Sequence, residues 1–215
     1  MGQPILAAAG FQPALYASQN PPSPSGDIID RIAVSVGSHV VTTSDLDREI
    51  RVTAFLNDAK PDFTPAGKRA TAGRMVEQTL VRTELETSRY PTPAPSEVEP
   101  ILAQLKKQRF PSDAGFQRAL AEYGITEQDV LDELLWQRTL LSFLDVRFRP
   151  SVQVTDKEIQ DYFEKTVKAA AQSLDDYRDQ IEAALTGQRE DQEMISWLDQ
   201  AKKRTEIVYH DEALQ

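Results

Sequence analysis

Side chains able to do acid–base, nucleophilic or metal chemistry are sparse in this sequence. It holds two histidines, His39 and His210, and no cysteine. Thiol catalysis, disulfides and cysteine-based metal centres are therefore excluded. Two imidazoles alone make a poor metal site, because zinc centres take three or four ligands. Both histidines read as edge-strand residues, and neither a metal nor a cofactor is expected. Carboxylates cluster at Asp175-Asp176, at Glu190-Asp191 and at Glu193. Paired carboxylates can do acid–base work, but on a long amphipathic helix they read as a solvated face. The sequence carries no G-x-G-x-x-G, P-loop, H-E-x-x-H or G-x-S-x-G pattern. Large apolar side chains are more plentiful. Met75, Phe110, Phe116, Trp136, Leu140 and Phe143 give the middle of the chain an excess of apolar surface, which suits the burial of a guest.

The composition is that of an ordinary folded protein, with 40% hydrophobic and 27% charged residues among 215. A formal net charge of −10 argues against nucleic acid as the main partner, since phosphate neutralisation needs clustered Lys and Arg. No apolar run reaches the roughly 18 residues of a membrane span. Near the start, Ile5 to Ala9 and Phe11 to Ala17 are apolar, and Leu15-Tyr16-Ala17 loosely resembles a signal-peptidase site without a basic segment before it. Residues 1–26, ending in a Pro/Ser run, read as a flexible arm or signal remnant, and export is expected.

Folded structure is expected from about Asp27. Ile32 to Val36 alternates and is β-branched; Gly37-Ser38 and His39 to Thr42 follow. Gly at the first central position suits a type II′ turn, so the stretch predicts a hairpin. Helices come next, each announced by a capping pattern: Ser44 with Asp47, Ser96 with Glu99, Thr126 with Asp129, Thr155 with Glu158, Ser173 with Asp176. The first spans about 45–57, with Leu46, Ile50 and Phe55 as core contacts. The second starts at Thr64-Pro65 and ends before Pro91. The third carries Val98, Ile101, Leu102 and Leu105. The fourth carries Phe116, Leu120 and Tyr123, with Gly124 closing it.

The fifth helix, about 127–146, is apolar on opposed sides: Val130, Leu134 and Leu141 on one, Trp136, Leu140 and Phe143 on the other. Such a helix is either sandwiched inside the fold or lines a surface for a guest. After Pro150, an extended stretch feeds a capped helix with Tyr162 and Phe163. A long helix over about 174–204 follows, with Tyr177, Ile181, Leu185, Met194, Ile195 and Leu198 in register, Gly187 as a weak point, and Trp197 as a core residue. Thr205 to His210 is a strand pattern, and a lone terminal strand needs a partner. The opening hairpin is the partner on offer, so both ends of the folded region should share one antiparallel sheet. The fold class expected is mainly α with that small sheet.

This order of elements resembles the SurA-type periplasmic chaperones. The resemblance lies in the hairpin Ile29 to Thr42 followed at once by Ser44-Asp45-Leu46-Asp47, in Val154 to Phe163, and in Tyr177 to Ile181 through Trp197-Leu198 to the strand at Thr205–His210. It spans about residues 27–212, divided into a hairpin-and-helix part (27–150), a linker helix (151–172) and a closing helix and strand (173–212). Relatives with isomerase activity carry parvulin modules between the equivalents of Phe163 and Tyr177, where this sequence has about a dozen residues. A compact domain needs several tens. The resemblance thus implies an ATP-independent periplasmic holding chaperone for unfolded polypeptides, outer-membrane proteins among them, and not an enzyme. Client contact is expected at Met75, Phe110, Phe116, Trp136, Leu140 and Phe143. A dimerisation or assembly module, with a homodimer, and a residual prolyl isomerase are the competing readings.

Overall fold

The computed structural model describes residues 30–167 and 173–215. The expectations for residues 1–26 lie outside this range. Strands β1 (Ile32–Val36) and β2 (His39–Thr42) form the hairpin, with Gly37 at φ +56° in the two-residue turn. Ser38 has no positive φ, which fits a type II′ turn and rules out type I′. Seven α-helices follow among the described residues: α1 (Thr43–Leu56), α2 (Pro65–Thr87), α3 (Glu99–Arg109), α4 (Asp113–Tyr123), α5 (Glu127–Arg147), α6 (Asp156–Tyr162) and α7 (Leu174–Arg204). Strand β3 (Ile207–Tyr209) returns to the hairpin.

The sheet order is β2-β1-β3 and both pairings are antiparallel. Val34 stands opposite Tyr209 and Val36 opposite Ile207. The Gly37 N–H donates to the Glu206 carbonyl at 2.8 Å and the His210 N–H to the Ala33 carbonyl at 2.9 Å. The architecture is therefore mainly helical with a small antiparallel sheet that joins the two ends of the folded region.

Capping explains most helix starts. Thr126, Thr155 and Ser173 cap α5, α6 and α7 as expected, each backbone N–H donating to the carboxylate three residues on. Two caps differ. Because β2 runs directly into α1, the cap there is Thr42, whose N–H donates to the Asp45 carboxylate at 3.1 Å; Ser44 and Asp47 fall inside the first turns. Before α3, Pro95–Glu97 forms a 3₁₀ turn, Glu97 reaches back to the Ala94 N–H at 2.9 Å, and Val98 precedes the helix. Gly124 ends α4 at φ +66° as expected.

The interior comprises two apolar clusters. The first joins Val34, Val36 and Val41 of the sheet to Leu46 and Ile50 of α1, Val76 and Val81 of α2, Trp136 and Phe143 of α5, and Trp197, Leu198 and Ala201 of α7. The second joins Val52 and Phe55 of α1 to Leu102, Phe116, Leu120, Val130 and Leu134. Helix α5 serves both, and this resolves its opposed apolar sides: Val130 and Leu134 enter the second cluster, Trp136 and Phe143 the first. Ile101 and Ile195 were expected to face inward but are exposed, as is Leu141. On α7 the inward stripe is Met194, Trp197, Leu198 and Ala201, which turns Ile195 outward. The helix runs unbroken through Gly187. Glu190 departs from the solvated-face reading: it is 8% exposed and accepts from Arg149 Nε at 2.9 Å.

Candidate functional site

Helices α2 and α5 flank a groove bordered by β2, α1 and α7. Three recesses make it up. The first, of 340 Å³, lies among β2, α1, α2 and α5, with Val41, Asp45, Glu49, Met75, Arg82 and Glu133 in its walls. The second, of 540 Å³, opens between α2, α5 and the connector at Thr92-Pro93, against Arg82, Leu135 and Trp136. The third, of 290 Å³, has Trp136 and Leu140 of α5 facing Met194 and Leu198 of α7. Arg82 borders the first and second, Trp136 the second and third, and Glu49, Gln78 and Glu133 the first and third, so the three meet around one residue pair.

That pair is Arg82 over the Trp136 indole, with the guanidinium carbon 4.0 Å from the ring centroid. The distance is well inside the range in which a cation feels the negative face of an indole. Trp136 is 5% exposed, whereas Arg82 as a residue is exposed. Part of the side chain thus meets water while the guanidinium covers the ring. Partial burial lowers the Arg82 pKa below its ordinary value, opposed by Glu133, Glu49, Glu86 and Asp132.

The walls are acidic. Glu49 accepts from Gln78 Nε2 at 3.2 Å, and Glu133 from Gln137 Nε2 at 2.9 Å. Burial first, and then the charge of Glu49, raise the Glu133 carboxyl from 4.5 to about 7; the Gln137 hydrogen bond, Arg82 and Arg74 act in the opposite direction. A carboxyl poised there can donate to a carbonyl or accept from an N–H at neutral pH. Asp129 and Asp45 are engaged by Arg48 at 3.5 and 3.7 Å. Among the described residues no group of three or more metal-ligating side chains comes together. His39 lies 3.8 Å from Glu86, while His210 lies 3.3 Å from Ser35 Oγ.

Of the six residues singled out in the sequence, the groove brings together Met75, Trp136 and Leu140. Phe143 is 1% exposed and packs edge-on against Tyr90, Phe148 and Trp197. Phe116 is fully buried in the second cluster, where the half-buried Phe110 meets it at 5.3 Å and stacks on Phe55 at 6.0 Å. The sequence reading missed Arg82, Glu49, Glu133 and Met194. The available signal was Glu133 itself, a carboxylate set among Val130, Leu134 and Trp136 on a helix with two apolar sides.

No family model matches the chain. Two curated proteins are similar to it, both called "Foldase protein PrsA" and both from strains of Clostridium kluyveri, at 28% identity over 149 residues. The match covers 60% of this chain and 43% of each relative, so the chain spans less than half the length of the curated relatives it matches. At the level of family, the similarity is to foldase-type chaperones. It also corrects an expectation. The short Phe163–Tyr177 interval implied, through the resemblance, a chain that is not an enzyme; the similar proteins are named foldases, and that expectation is overturned.

Proposed function

We propose that this chain is an ATP-independent, exported chaperone of the SurA-like kind, working in the periplasm, that holds unfolded polypeptide segments in the α2–α5 groove. Residues 27–215 form its working unit, and unfolded outer-membrane proteins are among its clients. The observation that carries the reading is the continuity of the three recesses, apolar at Met75, Trp136, Leu140 and Met194 and lined elsewhere by hydrogen-bonding side chains. Similarity to proteins named foldases supports it. Apolar burial with polar groups at the rim is the usual chemistry of an extended or helical guest in a groove. Methionine at two wall positions allows one surface to fit many guests. The net charge of −10 opposes association between loaded molecules.

The test is suppression of aggregation when an unfolded outer-membrane β-barrel protein is diluted from denaturant, followed by light scattering. The chain should suppress scattering, and the double substitution Met75→Gln with Leu140→Gln should abolish suppression with the circular dichroism spectrum retained. Suppression that survives this double substitution, in a folded variant, would remove the groove from the account. A sizing measurement beside it would detect a concentration-dependent dimer, the signature of an assembly module.

A further inference from the structure

We infer that the groove selects client segments that carry arginine, and that Arg82 sits in the client's place on Trp136 when no client is bound. This deepens the holding function proposed above and rests on it. Arg82 is held in an unusual way. Its guanidinium lies 4.0 Å from the indole centroid, yet among the described residues it lies within 4.0 Å of no carboxylate and makes no side-chain hydrogen bond. Glu49, Asp132 and Glu133 line the same recesses, and their hydrogen bonds come from neutral donors, the amides of Gln78, Gln128 and Gln137 and the Thr53 hydroxyl.

The seat therefore has two parts. The indole face takes a planar cation, and carboxylates around it are free to accept the forked N–H donors that Arg82, anchored on α2, does not present to them. A guanidinium arriving on a flexible client reaches both. Exchange on the ring replaces one cation–π contact by another, and the charge-assisted hydrogen bonds are the gain. Because Arg82 is an exposed residue and belongs to neither apolar cluster, it can swing into water without opening the core. The apolar recess at Leu140 and Met194, on the other side of Trp136, then receives a neighbouring apolar side chain. Lysine, a compact point charge without a planar fork, fits this seat less well.

The experiment is a fluorescence-anisotropy titration with a short unstructured peptide of Leu and Ser containing arginine, beside the same peptide with citrulline, which keeps the planar shape and loses the charge. The wild-type chain should favour the arginine peptide by about fivefold. Arg82→Ala should bind the arginine peptide tighter by a similar factor, since the seat is empty and one positive charge is gone. Glu49→Gln with Glu133→Gln, a second route should Arg82→Ala fold poorly, should erase the preference. Equal binding of the two peptides by wild type and by Arg82→Ala overturns the inference and leaves holding intact if aggregation is still suppressed. Binding of neither peptide, with no suppression of aggregation, overturns the holding function as well.

Discussion

Glu133 stands half-buried between Glu49 of α1 and Arg82 of α2, and its proton is held more tightly in the folded chain than in the unfolded one. A carboxyl raised from 4.5 to about 7 makes stability fall as pH rises through that window, because the folded state is the one that binds the proton. Glu133→Gln should remove this slope. Denaturant titrations should show the variant gaining about 1–2 kcal/mol over the wild type at about pH 8 and nothing near pH 4.5, after allowance for solvent screening. An equal effect at both pH values would assign the change to packing. Phe143 belongs to the same scale. It is enclosed by three aromatic rings, so Phe143→Ala should cost about 3–5 kcal/mol, read as a shift of the denaturation midpoint. Glu190 is the buried partner of Arg149, and Arg149→Met leaves its carboxylate unpaired; a loss of about 1–3 kcal/mol is expected, less than for a fully enclosed pair because Arg149 is itself exposed.

At the scale of elements, strand β3 and the turn after it anchor the chain onto the hairpin. Leu214, 3% exposed in the first cluster, clips the turn in place, so Leu214→Ala should lower stability by about 2–4 kcal/mol in thermal unfolding, with helical content at low temperature unchanged. The pairing of β3 with β1 was legible in the sequence because a three-residue apolar strand cannot satisfy its backbone alone, and the chain offered one hairpin to receive it. The extent of α7 and the caps at Thr126, Thr155 and Ser173 were legible for a similarly local reason: each is decided within four residues. The start of α1 was not, because the identity of the cap depends on where β2 stops, and that is set by its register with β1. The two sides of α5 were visible, but the reason for them was not. Whether Trp136 and Phe143 face a guest or a core depends on the position of α2 and α7, which no local pattern encodes. The groove was half legible for the same reason: its apolar members stand out by type, whereas Arg82, Glu49 and Glu133 become a site through the approach of three helices.

Taken whole, the molecule sets the α2–α5 groove mainly against its first apolar cluster, while Phe110 and Phe116 belong to the second. Clients are expected to meet the side of the first cluster. The absence of native cysteine makes a direct comparison clean, because a single introduced thiol can carry a photo-crosslinker without competing reaction. Gln137, exposed at the rim of the third recess, is the groove position; Ala103, exposed on α3, is the control. With an unfolded outer-membrane β-barrel protein present, benzophenone on Gln137→Cys should crosslink client strongly and benzophenone on Ala103→Cys only weakly. Equal yields at the two positions, or a stronger yield at Ala103→Cys, would mean that clients are not held in the α2–α5 groove.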